Sequence, residues 1–392
     1  DGTNTGTQNV WCRTTPRKRQ SCTGLDAGEV VWGTLEVPAG ESCILRGATV
    51  HGDIVVLANG TLEVFRSVVD GSLTSQDSIS VSVDESNISG AVVVASTGEV
   101  NISRAYMLST FACQQVGALS LTEARVMGSL EAAETNGAVV LERTYVHGAL
   151  YIRLSGSVSL NEVTVYAGSI VAETTGSVTV KRTSVHGVLD TSLSGSVLLY
   201  EVTVFEDTNV KTTQGPVNIG RAETKGNMAL LSQQEAAISR STVRGSAKVA
   251  KTQGPVAINQ TDFLGDAVVS ETEGVLTVFR NDVKGKHGLV LKENVGKIHI
   301  YQNDITNNLE CKGNIGTISG QQCTPESELG PEMVEQCCYD TCGHCNPPDH
   351  SWCNSQGRCE RAQGNSGGCN GKWLECPAPS EPTPDSNLAP TP

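Results

Sequence analysis

Aromatic side chains are scarce in this chain, only 4% of its 392 residues. That scarcity argues against a carbohydrate groove paved with stacking platforms. Long apolar runs are missing too, and none approaches the roughly 20 residues that a membrane-spanning helix needs. A surplus of positive charge is also lacking: 28 Lys and Arg stand against 42 Asp and Glu, a formal net charge of −14. An acidic chain gains nothing from displacing the counterions of a phosphate backbone, so nonspecific nucleic-acid binding is excluded. The chain opens on Asp1 instead of Met, as expected if a targeting leader has been removed.

What the chain has in abundance is glycine at fixed intervals. Gly137-Ala-Val-Val-Leu141 returns as Gly156-Ser-Val-Ser-Leu160, Gly176-Ser-Val-Thr-Val180 and Gly195-Ser-Val-Leu-Leu199, with starts 19, 20 and 19 residues apart. A second phrase lies between them, as in Thr144-Tyr-Val-His-Gly148 and Thr183-Ser-Val-His-Gly187, followed by a third such as Gly148-Ala-Leu-Tyr-Ile152. Alternation with period 2 marks each phrase as a short strand, and three strands per repeat describe one coil of a solenoid. One coil cannot bury its apolar side alone; stacked coils share a dry interior.

The repeat predicts an all-β fold, a single-stranded parallel β-helix of about fourteen coils with a right-handed winding, followed by a small disulfide-rich module. Residues 1–30 are expected to form an irregular cap, 31–323 the β-helix, 324–376 the Cys-rich module and 377–392 a Pro-rich tail. The corner glycines are expected where a turn needs positive φ or leaves no room for Cβ. A Thr series two residues before those glycines (Thr135, Thr174, Thr213, Thr252 and Thr272) is expected to satisfy turn backbone groups.

The cysteine pattern points outside the cell. Fourteen Cys and four N-x-[ST] sequons, at Asn59, Asn87, Asn101 and Asn259, predict a secreted glycoprotein with attached glycans, extracellular or on a cell surface. Cys12 and Cys22 are expected to close a loop in the cap, and Cys311 and Cys323 to staple the last coil. Cys337, Cys338, Cys342, Cys345, Cys353, Cys359, Cys369 and Cys376 are expected to pair within the tail module. Cys43 and Cys113 are then left over: Cys43 joins the cap, or one of the two links to another chain. The bland alternative for Cys113 is a buried thiol acting as a small apolar residue.

Few residues suggest chemistry. Cys342-Gly-His-Cys345 has the spacing of a redox dithiol, but no βαβ pattern surrounds it, and a structural role follows. His344 and His350 lack a paired CxxC frame for zinc. Asp262, Asp282 and Asp304 fall at one position of three successive coils, the best-placed carboxylates for acid/base work or calcium. Their slot elsewhere holds Thr49, Thr164 and Thr242, which reads as a polar surface position. The mixture of Arg125, Tyr145, Glu223 and Asp262 in that column is too irregular for ice binding. No cofactor or metal is expected, and no catalytic residue is assigned.

Over residues 31–320 the recurrent Gly-x-Val-x-Val and Ser/Thr-x-Val-x-Gly phrases resemble those of parallel β-helix proteins as a broad class, including bactofilin-type polymer-forming solenoids and β-helical surface adhesins. The Gly-His-Gly and Arg-Ile-Lys motifs of pectin-degrading relatives are absent. The tail resembles EGF-like modules in Cys density, and a β-helix with such a tail is similar to the subunits of tubular flagellar hairs, the mastigonemes. These resemblances imply a structural protein that associates with itself or with other extracellular structural proteins. The alternative expectation is a β-helix that binds or cleaves polysaccharide through the Asp262, Asp282 and Asp304 column.

Overall fold

The computed structural model describes residues 20–22, 25, 27–324, 351–353 and 359–361. The chain divides into two compact units, Asp1–Cys323 and Thr324–Pro392. The first is a parallel β-helix with three strands per coil and no helix among the described residues. Each coil contributes to sheets named here B, A and C in that order, the first coil through Val30–Trp32, Leu35–Val37 and Ser42–Arg46. Sheet A has 16 strands, and sheets B and C have 15 each, stacked in chain order throughout. At about 4.8 Å per coil the stack is about 70 Å long.

There is one coil more than the repeat count suggested. Its sheet B strand is Val30–Trp32, in the segment Glu29-Val-Val-Trp-Gly33. A further strand, Gln20–Ser21, pairs in parallel with Leu35–Val37 inside the segment expected to be irregular.

The alternation reads directly as packing. Val139 stacks on Val158 and Leu141 on Leu160, with the intervening Val140 and Ser159 facing out. Sheets A and C each send two inward side chains per coil and sheet B one. The resulting column, from Val31 to Leu309, is a single continuous core. β-Branched and Leu side chains suit it because each stacks on its like one strand away.

The corner glycines are there for space. At Gly195 an added Cβ would lie 2.7 Å from the carbonyl oxygen of Gly176, and at Gly245 it would lie 2.6 Å from that of Gly226. Positive φ occurs at a few of them, such as Gly33, Gly296 and Gly316, but most positive-φ positions lie elsewhere and are filled mostly by Arg, Glu and Gln, for example Arg143 (φ 48°), Glu162 (58°) and Arg182 (48°). Such backbone costs about 1 kcal/mol or more per residue, a cost the stacked coils outweigh.

The second unit shows one described element, an antiparallel pair of Ser351–Cys353 with Cys359–Arg361. Cys12, Cys337, Cys338, Cys342, Cys345, Cys369 and Cys376 lie outside the described residues.

Cysteine pairing differs from expectation at the N-terminal end. Cys22 bonds to Cys43, with Cα atoms 5.7 Å apart, so the loop to Cys12 does not form. The cause is register: the strand ahead of Cys22 pairs on Leu35–Val37, and Cys43 points into the core beside it. Cys311–Cys323 forms as expected. Cys113 is free and 3% exposed in the core, and burial pushes its thiol up to about 12, with a smaller contribution from Glu131. With one thiol in a disulfide and the other buried and protonated, neither Cys43 nor Cys113 is placed to bridge two chains.

Candidate functional site

The outer surface is built of columns, because each side chain lies above its counterpart one coil away. The most regular column runs along the corner between sheets C and B: Arg66, Glu85, Arg104, Glu123, Arg143, Glu162, Arg182, Glu201 and Arg221, alternating in sign through nine coils, all in positive-φ backbone. Ion pairs link its neighbours, including Arg66 to Glu85, Arg104 to Glu85, Arg143 to Glu123 (2.9 Å), Arg182 to Glu162 (3.2 Å) and Arg221 to Glu201 (2.9 Å). Arg104 also grips Asp84, and that hydrogen bond is the main reason its pKa is raised. Identical charges at strand spacing would repel. Exposed pairs contribute little singly, so the effect is that of a network. Sequence reading overlooked this column, although its signal was present in the residue just before each second phrase.

Asp262, Asp282 and Asp304 are indeed register partners on sheet B. Asp282 Oδ2 receives a 2.7 Å ion pair from Lys284, the next outward residue of its own coil. That hydrogen bond raises the Lys284 pKa, helped by the charge of Asp282 and less by Asp262 and Asp304. Asp282 Oδ1 has no partner, but Asp262 and Asp304 are exposed on an open face. No group of three or more His, Cys, Asp or Glu among the described residues is arranged to hold a metal ion. What this column can do, as arranged, is hold an ammonium group.

A run of neighbouring rings lies at the ends of the sheet B strands. His147, Tyr166, His186 and Phe205 occupy one outward column, with ring centroids 5.2, 4.9 and 4.4 Å apart. Lys225 closes the row with its ammonium 3.6 Å from the Phe205 ring centre. These rings spend their faces on one another. Trp32 stacks on His51 in the same column, and His51 Nδ1 meets Asp70 at 2.6 Å.

Two inward corner columns handle buried polar groups differently from expectation. The Thr series beside the corner glycines points into the core: Thr135, Thr174 and Thr252, with Ser155 and Ser194 between them, bury hydroxyls that have no partner. Thr213 and Thr272 bond instead to Ser232 and Asn294 one coil on. The backbone-satisfying role falls to the opposite corner, where Ser67, Ser86, Thr183, Ser241 and Thr261 donate to the carbonyl two residues back. In the last coils amides take over both corners. Asn303 Oδ1 accepts from the N–H and the side chain of Asn281, and Asn314 Oδ1 does the same for Asn294.

Of the sequons, Asn59, Asn87 and Asn101 are exposed and Asn259 is partly exposed, all outside the core. No known protein family, no curated protein and no solved structure matches the chain.

Proposed function

We propose that the chain is a non-catalytic structural glycoprotein of the cell exterior, the subunit of a filament or surface appendage that assembles through the ends of its β-helix. The observation that supports this is the difference between those ends. At the first coil Val31, Leu35 and Cys43 are buried, with the Cys22–Cys43 bond and Leu25 packed against them. At the last, Ile318 is 41% exposed, whereas Ile298, its register partner, is 1% exposed. The strands Leu309–Lys312 and Ile318–Gly320 pair on one side only among the described residues. An unpaired parallel edge with an open apolar column is a template for another chain.

Disulfides at both ends of the stack, and the lack of a helix long and apolar enough to cross a membrane among the described residues, are compatible with secretion. Sedimentation over a concentration series, with negative-stain imaging, tests the reading on protein secreted from eukaryotic cells. Wild type should form oligomers or filaments, and Ile318→Lys should abolish them. A wild-type monomer at every concentration overturns the assembly.

A further inference from the structure

Across six successive coils the outward face of sheet B carries almost no charge. From the strand Tyr106–Met107 to the strand Thr203–Val204, each coil presents two outward residues, one opening the strand and one just after it. None of them is acidic, in a chain with 42 Asp and Glu, and Arg125 is the one basic side chain besides His147 and His186. Leu108, Met127, Tyr145 and Tyr166 are exposed there. The stacked rings of Tyr166, His186 and Phe205, tilted from one another by only 17° and 8°, turn their faces along the stack and their edges outward.

The flanks suit a close approach. One is low, a row of corner glycines that includes Gly128, Gly148 and Gly187. The other is the paired Arg and Glu column, a polar rim. A contiguous apolar patch is the mark of an interaction surface, and aromatic residues, Met and Arg with acids depleted are the composition of an interface centre.

Area and charge decide what covers it. Six coils about 15 Å wide present roughly 400 Å², half of the roughly 800 Å² that a stable interface buries on each side, whereas fourteen coils present about 1,000 Å². The cover must run along nearly the whole face, and a second copy of the stack has that length. Two copies can meet here about a twofold axis, with their stacks parallel or opposed. Parallel pairing would gather Asp262, Asp282 and Asp304 from both copies around two Lys284 ammonium groups, a net repulsion. Opposed pairing, about an axis between the Tyr145 and Thr164 strands, lays the uncharged stretch on itself and sends the two acid groups to opposite ends. Counted outward from that axis, Leu108 meets Phe205 of the second copy and Asp70 meets its Arg244, an acid on a base. Trp32, 70% exposed, meets its Lys284, a ring on an ammonium.

We propose that sheet B is the interface of an antiparallel, side-by-side dimer of this chain. The pairing does not rest on end-to-end assembly. Asn87, an exposed sequon residue one coil before Tyr106, lies in the same face. A glycan there would hold two copies apart, so pairing is reserved for chains bare at Asn87.

Sedimentation equilibrium of the full chain carrying Ile318→Lys and Asn87→Gln tests the pairing, with end association and that glycan removed from the readout. A dimer is expected from this parent. Met127→Glu, which puts an acid into the uncharged stretch, should raise its dissociation constant about a hundredfold. Asp70→Lys should raise it about tenfold, and adding Arg244→Glu should bring it back. A bismaleimide should join Leu108→Cys chains to Phe205→Cys chains in a mixture and neither to itself, since Cys113 is buried. Circular dichroism of each variant separates lost pairing from lost fold. The proposal is overturned if the parent is a monomer at every concentration, if Met127→Glu pairs as the parent does, if the charge swap fails to restore pairing, or if Leu108→Cys cross-links to itself.

Discussion

The coils between Arg66 and Arg221 and those from Arg240 to Gln321 share one backbone plan and handle charge and buried polarity in opposite ways. In the first region the corner column alternates Arg and Glu, so each charge meets its opposite one coil away. In the second, glutamine replaces glutamate: Arg240 bonds Gln260 at 3.1 Å and Arg280 bonds Gln302 at 2.8 Å. The acids move across to sheet B as Asp262, Asp282 and Asp304, with Lys284 among them. One region neutralises charge along a column and the other between columns.

Inside the core the contrast is sharper. The earlier coils bury hydroxyls at Thr135, Ser155, Thr174 and Ser194 without partners. The last coils bury amides at Asn281, Asn294 and Asn303 with donor and acceptor both used. An amide carries both functions and can pass a ladder on indefinitely, whereas a lone hydroxyl column can leave members orphaned. Orphans are tolerated deep in the stack, where coils on both sides supply packing. Near the open end, where packing is one-sided, the buried amides are all paired.

That contrast can be broken experimentally, most strongly with Asn303. Asn303→Leu removes the acceptor for two buried N–H donors of Asn281 and should cost about 3 kcal/mol, seen as faster amide hydrogen exchange confined to the last coils. The matching change in the middle, Thr174→Val, deletes an orphan hydroxyl and should be neutral or stabilising by about 1 kcal/mol. Equal losses at both sites would mean that the two columns are not the different devices described above.

Cys113 extends the test to pH. The folded thiol titrates at about 12 against an ordinary 9.0, so the folded state keeps a proton that the unfolded state gives up. Stability should therefore be unaffected below about 9 and fall as pH rises toward about 12, by at most about 1.4 kcal/mol per pH unit. Cys113→Val should lack that component, which denaturant titrations of both proteins across the window would reveal.

The smallest effects are expected on the surface. Glu162→Arg places three guanidiniums in a row with Arg143 and Arg182 and should lower stability by about 1 kcal/mol, less at high salt. Gln260→Glu puts an acid between Arg240 and Arg280 and should raise it by about 0.5 kcal/mol. Melting curves at low and high ionic strength would compare them. A salt-independent result for Glu162→Arg would remove the electrostatic account of the alternating column.

Much of this was legible in the chain. The period-2 phrases at 19 to 20 residues identify three strands per coil, and Val139, Leu141, Val158 and Leu160 are core residues by alternation alone. The register of Asp262, Asp282 and Asp304 follows from phrase position, and the Cys311–Cys323 staple from the Gly-rich sequence that the two cysteines flank. The alternating Arg and Glu column is equally present in the chain, at the residue before each second phrase, but its pairing in space follows only from the stacking of the coils.

Other features were beyond linear reading. Cys22 chooses Cys43 over Cys12 because strand pairing brings its Cα within 5.7 Å of Cys43. Thr135, Thr174, Thr252 and Thr272 turn inward because positive φ falls on the residue before each, at Glu134, Glu173, Lys251 and Glu271. A repeat determines by itself which side chains face in, since alternation is local. Which of them meet across a corner or between coils depends on register and turn geometry, and only the folded stack decides those.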